Sequence, residues 1–138
     1  MTLERVENEI IEEFELFGDD WESKYEHLID LGKNLPLIKE EYKTDEYLIK
    51  GCQSRVWLHS ELKDGKLYFT ADSDAIITKG MVALMVRVLT GRIPEEIIHS
   101  KLEFIDKIGL KEHLSPTRAN GLVSMINRIK SDAIKMSK

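Results

Sequence analysis

The chain of 138 residues contains one cysteine, Cys52, and the residues around it are of types that favour chemistry over packing. The stretch reads Ile49-Lys50-Gly51-Cys52-Gln53-Ser54-Arg55-Val56-Trp57-Leu58. A lone cysteine is most often a small buried hydrophobe. Here the neighbours argue against that role. Gly51 opens backbone angles closed to other residues, and Gln53 and Ser54 are poor company for a structural core thiol. A free thiol has a pKa near ~8.5, so little is thiolate at neutral pH unless the site assists. Lys50 and Arg55 are the cations at hand. The backbone N–H groups of Gln53, Ser54 and Arg55 would add to them if the loop curls into an anion-binding nest. With no second thiol, Cys52 forms no internal disulfide, and whatever its sulfur accepts must pass to another molecule. That is how a carrier behaves.

The elements that must hold this loop are read from periodicity. Leu3, Val6, Ile10, Phe14 and Phe17 recur by threes and fours, which predicts an amphipathic helix over 3–17 stopped by Gly18. Asp19 or Asp20 caps a second helix, with Trp21, Tyr25, Leu28, Leu31 and Leu35 on its apolar stripe and Pro36 closing it. Residues 37–46 read as a polar loop and Tyr47-Leu48-Ile49 as a short strand entering the cysteine loop. Val56, Leu58, Ser60 and Leu62 alternate with Trp57, His59 and Glu61, which predicts a strand. Lys63-Asp64-Gly65 then turns into a return strand, Lys66 to Ala71.

Asp72 or Ser73 is expected to cap the next helix, Ala75 to Leu89, which is apolar on nearly every side and so must be buried against the sheet. Gly91 stops it. Short helices follow at Pro94–Ile98 and Phe104–Ile108. A last helix opens at Ser115-Pro116 with the stripe Leu122, Met125, Ile126, Ile129 and Ala133. Two helices, a small antiparallel sheet and then helices to the end give an α+β class, in one domain spanning 1–138.

The remaining chemistry is sparse. Asp72 and Asp74 could form a carboxylate pair, but helix capping and a favourable charge at the helix N-terminus explain them as well. Arg118 falls at the third position of the last helix, where a capping box places Glu or Gln, so a tertiary contact or a bound anion is expected to hold it there. The four histidines show no metal-ligand spacing, so no metal site is expected. Trp57, Met81 and Met85 read as core. A net charge of −5 with no basic stripe argues against nucleic acid. No apolar run approaches a membrane span, and the acidic N-terminus lacks the order of a secretory signal. A lone thiol suits a reducing cytoplasm.

The octet Gly51-Cys52-Gln53-Ser54-Arg55-Val56-Trp57-Leu58 resembles the signature of the SufE family of sulfur acceptors. Further matching stretches lie in the same order: Trp21 to Tyr25, Leu31 to Pro36, Asp72 to Ala75 with Lys79-Gly80, and Leu114 to Leu122. The resemblance implies a SufE/IscU-like (NifU-like) fold, a small antiparallel sheet covered by helices. It implies that Cys52 accepts sulfur as a persulfide from a SufS-type cysteine desulfurase, stimulates that enzyme, and delivers sulfur to a SufBCD-type scaffold. Pyridoxal phosphate (PLP) then belongs to the desulfurase, and no cofactor is expected on this chain. IscU-type scaffolds hold a cluster with several cysteines, which this chain lacks.

By the same resemblance the resting cysteine is tucked toward apolar surroundings and released on docking. Gly51, Gln53 and Ser54 support it, Asp74 influences docking, and Arg118 approaches the loop to stabilise a thiolate or persulfide anion. At Arg55 other members carry Gln or Lys, so no required role is implied there. The rivals are a paralogous CsdE-type acceptor serving a CsdA-type desulfurase, a thiol redox sensor, and a non-catalytic interaction module. The chain is expected to be a monomer or homodimer.

Overall fold

Thr2 begins the first helix, α1 (Leu3–Glu15), its hydroxyl accepting the Arg5 N–H at 3.2 Å. The computed structural model describes residues 2–137. Leu3, Val6, Ile10 and Phe14 are buried as the spacing predicts. The helix ends two residues before Phe17, because the chain is already turning toward Gly18 at φ +55°. Phe17 then packs against the His27 ring. Asp20 caps α2 (Trp21–Lys33), accepting the Ser23 N–H at 3.2 Å.

Two strands form the sheet, β1 (Val56–Lys63) and β2 (Lys66–Ser73), paired antiparallel from Val56↔Ser73 to Lys63↔Lys66. The turn between them places Asp64 at φ 52° and Gly65 at φ 79°, the left-handed pair that matches the twist of a tight hairpin. A two-stranded sheet is marginal by itself. Its inner face (Val56, Leu58, Leu67, Phe69 and Ala71) is buried, the β2 side against α3 (Ile76–Leu89) and the β1 side toward the last helix.

That helix is central, with α1 and α2 on one side and β2 and α6 (Pro116–Met136) on others, so its apolar residues from Met81 to Leu89 are buried all round, while Ile76 at its start is exposed. Full burial of a Leu or Met side chain stabilises by about 1.5–3 kcal/mol, which makes Leu84, Met85 and Leu89 principal anchors. α2 approaches α3 backbone to backbone: a Cβ on Gly80 would overlap the Leu28 carbonyl, and one on Gly32 would meet the Gly80 nitrogen at 3.0 Å. Short helices α4 (Pro94–His99) and α5 (Phe104–Lys107) connect α3 to α6, and α4 packs on α6. The class is the expected α+β.

Local expectations are corrected at four places. Neither Asp72 nor Ser73 caps α3, whose N-cap is Ala75 with no side-chain bond. The β ladder runs through Ser73 rather than stopping at Ala71, so Asp72 is still in the sheet. There its carboxylate is taken by Lys43 at 2.7 Å and Lys79 at 3.2 Å. Tyr47-Leu48-Ile49 is not a full strand. It makes one bridge, Leu48↔Trp57, because a turn at Thr44–Tyr47 delivers it and the cysteine loop removes it again. The polar segment 37–46 contains a 3₁₀ turn, Glu40–Tyr42, which lays the Tyr42 ring on His59 at 4.0 Å. Trp57 is half-buried rather than core, since it lies on the outer face of the hairpin beside Lys43.

Candidate functional site

The cysteine loop is pinned at both ends. On the incoming limb the Ile49 N–H donates to the Val56 carbonyl at 2.7 Å, and the Leu58 N–H donates to the Tyr47 carbonyl at 2.9 Å. On the outgoing limb the Arg55 N–H donates to Asp74 Oδ1 at 3.1 Å. The Arg55 carbonyl accepts from the Ser73 hydroxyl at 2.8 Å and the Asp74 N–H at 3.3 Å. Between the pins Gly51 adopts φ +92°, a conformation that suits glycine, with its Cα facing Ser124 of α6.

Cys52 is half-buried, and its thiol donates to the Gly121 carbonyl at 3.5 Å. It opens onto a cavity of about 80 Å³, room enough for a group larger than one water. Gln53 and Ser54 form the loop side of that cavity. Thr78 and Met81 of α3, with Thr117, Arg118, Gly121 and Met125 of α6, form the helical side. Arg118 is placed there by its own cap: Pro116 starts α6 and the Ser115 hydroxyl accepts the Arg118 N–H at 3.3 Å.

Burial pushes the Cys52 thiol above its ordinary pKa and so disfavours the thiolate in the resting loop. The Arg118 guanidinium makes no ion pair among the described residues. Thr78 is more unusual. The residue is only 6% exposed, yet its hydroxyl has no hydrogen-bond partner among the described residues. No fully enclosed side-chain polar atom among them lacks a partner, so this hydroxyl is reached from the cavity it lines. This is a site able to keep a sulfur nucleophile quiet while offering a cation and hydroxyl groups beside it.

The sequence-predicted residues divide accordingly. Cys52, Gln53, Ser54 and Arg118 meet at one cavity, and Gly51 shapes the loop. Asp74 does not line the cavity; one of its carboxylate oxygens holds the outgoing limb of the loop at the Arg55 N–H. Lys50 and Arg55 do not line the cavity, and the Arg55 N–H is turned to Asp74, so the expected nest is not built around Cys52. Sequence reasoning does not mark Thr78, Met81, Thr117, Gly121 and Met125 as site residues. Thr78 does carry a signal, as a hydroxyl set within the otherwise apolar face Ile77, Met81, Val82. Among the described residues no group of three or more His, Cys, Asp or Glu could hold a metal ion. His113 stacks on Trp21 at 3.8 Å and His27 bonds Glu13 at 3.0 Å.

Residues 8–133 match the family model described as SufE, Fe-S metabolism associated domain. The chain belongs to the SufE family. SufE-like relatives agree. The chain is 46% identical over 131 residues to an uncharacterized SufE-like protein of Rhizobium meliloti (strain 1021), covering 91% of this chain and 93% of the relative. A second, from Rhizobium etli, is 41% identical and covers 91% of this chain and 88% of the relative. SufE-like protein 1, chloroplastic/mitochondrial, of Arabidopsis thaliana is 37% identical over 83% of this chain and 31% of that longer protein.

The SufE fold is seen again in the solution structure of a hypothetical protein from Thermus thermophilus. Its TM-score is 0.76 at 20% identity, over 94% of both chains. Membership places this SufE chain in Fe–S metabolism. No helix among the described residues is long and apolar enough to cross a membrane.

Proposed function

We propose that this SufE-family chain is a sulfur acceptor. Cys52 takes the outer sulfur from the persulfide of a PLP-dependent, SufS-type cysteine desulfurase and hands it to a SufBCD-type scaffold. The observation that carries the reading is the placement of the chain's one thiol at the mouth of a cavity beside Arg118.

The step balances without any added oxidant. The Cys52 thiolate attacks the outer sulfur of the desulfurase persulfide, a new S–S bond forms at Cys52, and the old one breaks. The desulfurase cysteine leaves as a thiolate and takes a proton. The Cys52 proton is lost beforehand, and burial resists that loss in the free protein. Docking that draws the loop outward removes this penalty, so reactivity rises where the donor is. When the loop returns, the cavity receives the outer sulfur, with Arg118 offering a cation and Thr78 and Thr117 offering hydroxyl donors.

No cofactor of its own enters this chemistry, and the chain turns nothing over without a desulfurase. A reducing compartment such as the cytoplasm is where the cycle runs.

The test is intact mass after incubation with a cysteine desulfurase and L-cysteine, repeated after a reductant. The expected result is a reducible gain of whole sulfur atoms, mapped to Cys52. Gain only with a CsdA-type enzyme would reassign the partner. Absence of gain with both enzymes would reject the acceptor reading.

A further inference from the structure

One face of α6 touches the cysteine loop at successive turns. Gly121 meets the Cys52 sulfur, Ser124 meets Gly51, and Arg128 meets the limb that leads into the loop. Positions 121, 124 and 128 are spaced by three and four, so the helix presents them in one row. We propose that Arg128 is a positioning residue for Cys52: it grips the incoming limb and so holds the thiol in its half-buried place.

The geometry is that of a planar fork used on three sides. Nη1 of Arg128 donates to the Leu48 carbonyl at 3.2 Å and Nη2 to the Glu46 carbonyl at 3.1 Å. Its Nε donates to Asp132 Oδ1 at 3.2 Å, one helical turn on. Asp132 is itself fixed, because Oδ2 accepts from the Ser60 hydroxyl at 2.8 Å, and Ser60 is buried in β1. The guanidinium is thus oriented by a carboxylate anchored to the sheet. Its two remaining edges satisfy backbone carbonyls that stand four and six residues before Cys52. Lysine has no such fork and cannot bond both carbonyls in one plane. Arg128 thus braces the limb that the Ile49–Val56 backbone bond closes, and with Asp74 and Ser73 holding Arg55 the span left between the pins is residues 50–54.

The functional consequence rests on the sulfur-acceptor reading, but the test does not. Alkylation of Cys52 by iodoacetamide is measured across pH in the full chain, with hydrogen exchange followed in parallel. Arg128→Met keeps the apolar stem and removes every donor. It is expected to speed alkylation about tenfold, the scale of one lost charge-assisted hydrogen bond. The pH midpoint of the reaction moves down as the thiol leaves its burial. Exchange accelerates over residues 46–52 while α3 amides keep wild-type protection. Arg128→Lys falls between.

A wild-type rate and midpoint in folded Arg128→Met overturns the proposal. So does acceleration matched by equal loss of protection in α3, since that is general destabilisation. If Arg128→Met does not fold, Asp132→Ala leaves the fork present but removes both the acceptor for its Nε and the anchor to Ser60. It must then show the same changes in smaller degree, and a wild-type profile there overturns the proposal too. Failure of wild-type protein to take up sulfur would reject the acceptor reading while leaving the alkylation result standing.

Discussion

Gly51 lies so close to Ser124 of α6 that a Cβ at position 51 would overlap the Ser124 hydroxyl oxygen. The loop carrying Cys52 and the helix carrying Arg118 are therefore seated against each other through a residue that has no side chain. The Ser124 hydroxyl is not free to swing away without cost, as it donates to the Asn120 carbonyl at 3.1 Å.

Gly51→Ala is expected to lose about 1–2 kcal/mol, from a side chain forced to φ +92° and from the overlap. Adding Ser124→Gly should restore the steric part and leave the backbone part. Urea melts of the single and double variants measure both contributions. A single variant as stable as wild type would contradict the packing described.

Cys52→Ser should fold normally, within about 1 kcal/mol of wild type, because the residue is half-buried and its one bond is a long one. Sulfur uptake and desulfurase stimulation should both vanish. A reducible mass gain in this variant would move the acceptor function elsewhere on the chain.

The alkylation rate of Cys52 should rise with a midpoint above the ordinary thiol value of ~8.5, since burial disfavours the thiolate. The sign for stability follows. The folded pKa lies above the unfolded one, so the unfolded state releases this proton first and stability falls as pH climbs through that interval. Cys52→Ser removes this contribution. Chemical melts of the two proteins from pH 7 upward should therefore diverge only at alkaline pH, with wild type falling faster.

Thr78→Val is expected to keep stability within about 1 kcal/mol of wild type, because it exchanges a hydroxyl with no hydrogen-bond partner among the described residues for a methyl of similar shape. The same variant should hold its Cys52 persulfide less well, read as faster loss of the added mass after the desulfurase is removed. Unchanged persulfide lifetime in Thr78→Val would remove that hydroxyl from the mechanism.

Glu13 is the acid-sensitive point of the helical layer. Hydrogen bonds from Arg87, at 2.9 and 2.5 Å, outweigh burial and hold its carboxyl below the usual value of 4.5, with His27 assisting. Its contribution is fully present above that value and is lost as pH falls through the lower, folded one. Both side chains are 31% exposed, so solvent screening limits Glu13→Gln to a loss of about 1 kcal/mol at neutral pH. Melts at decreasing pH should show the gap between variant and wild type closing below pH 4.5.

Most of the framework is readable in order along the chain. Helix stripes, the Asp64-Gly65 turn and the largely apolar α3 are patterns of neighbours, and neighbours are what periodicity reports. Errors fall where a short-range habit meets a long-range partner. Asp72 looks like a cap until Lys43 and Lys79 claim its carboxylate, and Trp57 looks like core until the hairpin turns it outward. In the sequence Arg118 is only a cation in the wrong place on a helix. In the fold it lines the same cavity as Cys52, which lies far earlier in the chain.

By itself the sequence determined the α+β class, the SufE resemblance and Cys52 as the only thiol, because these depend on residue type, order and local spacing. Tertiary structure alone decided the setting of that thiol. It put Arg118 rather than the adjacent Lys50 and Arg55 in the cavity, set Gly121 against the sulfur and Thr78 in the same cavity wall, and bonded Arg128 to the limb that leads into the loop. The reason is physical. A cavity and its electrostatics are made by surfaces that converge from α3, α6 and the loop, and no local pattern records which faces of separate elements will meet.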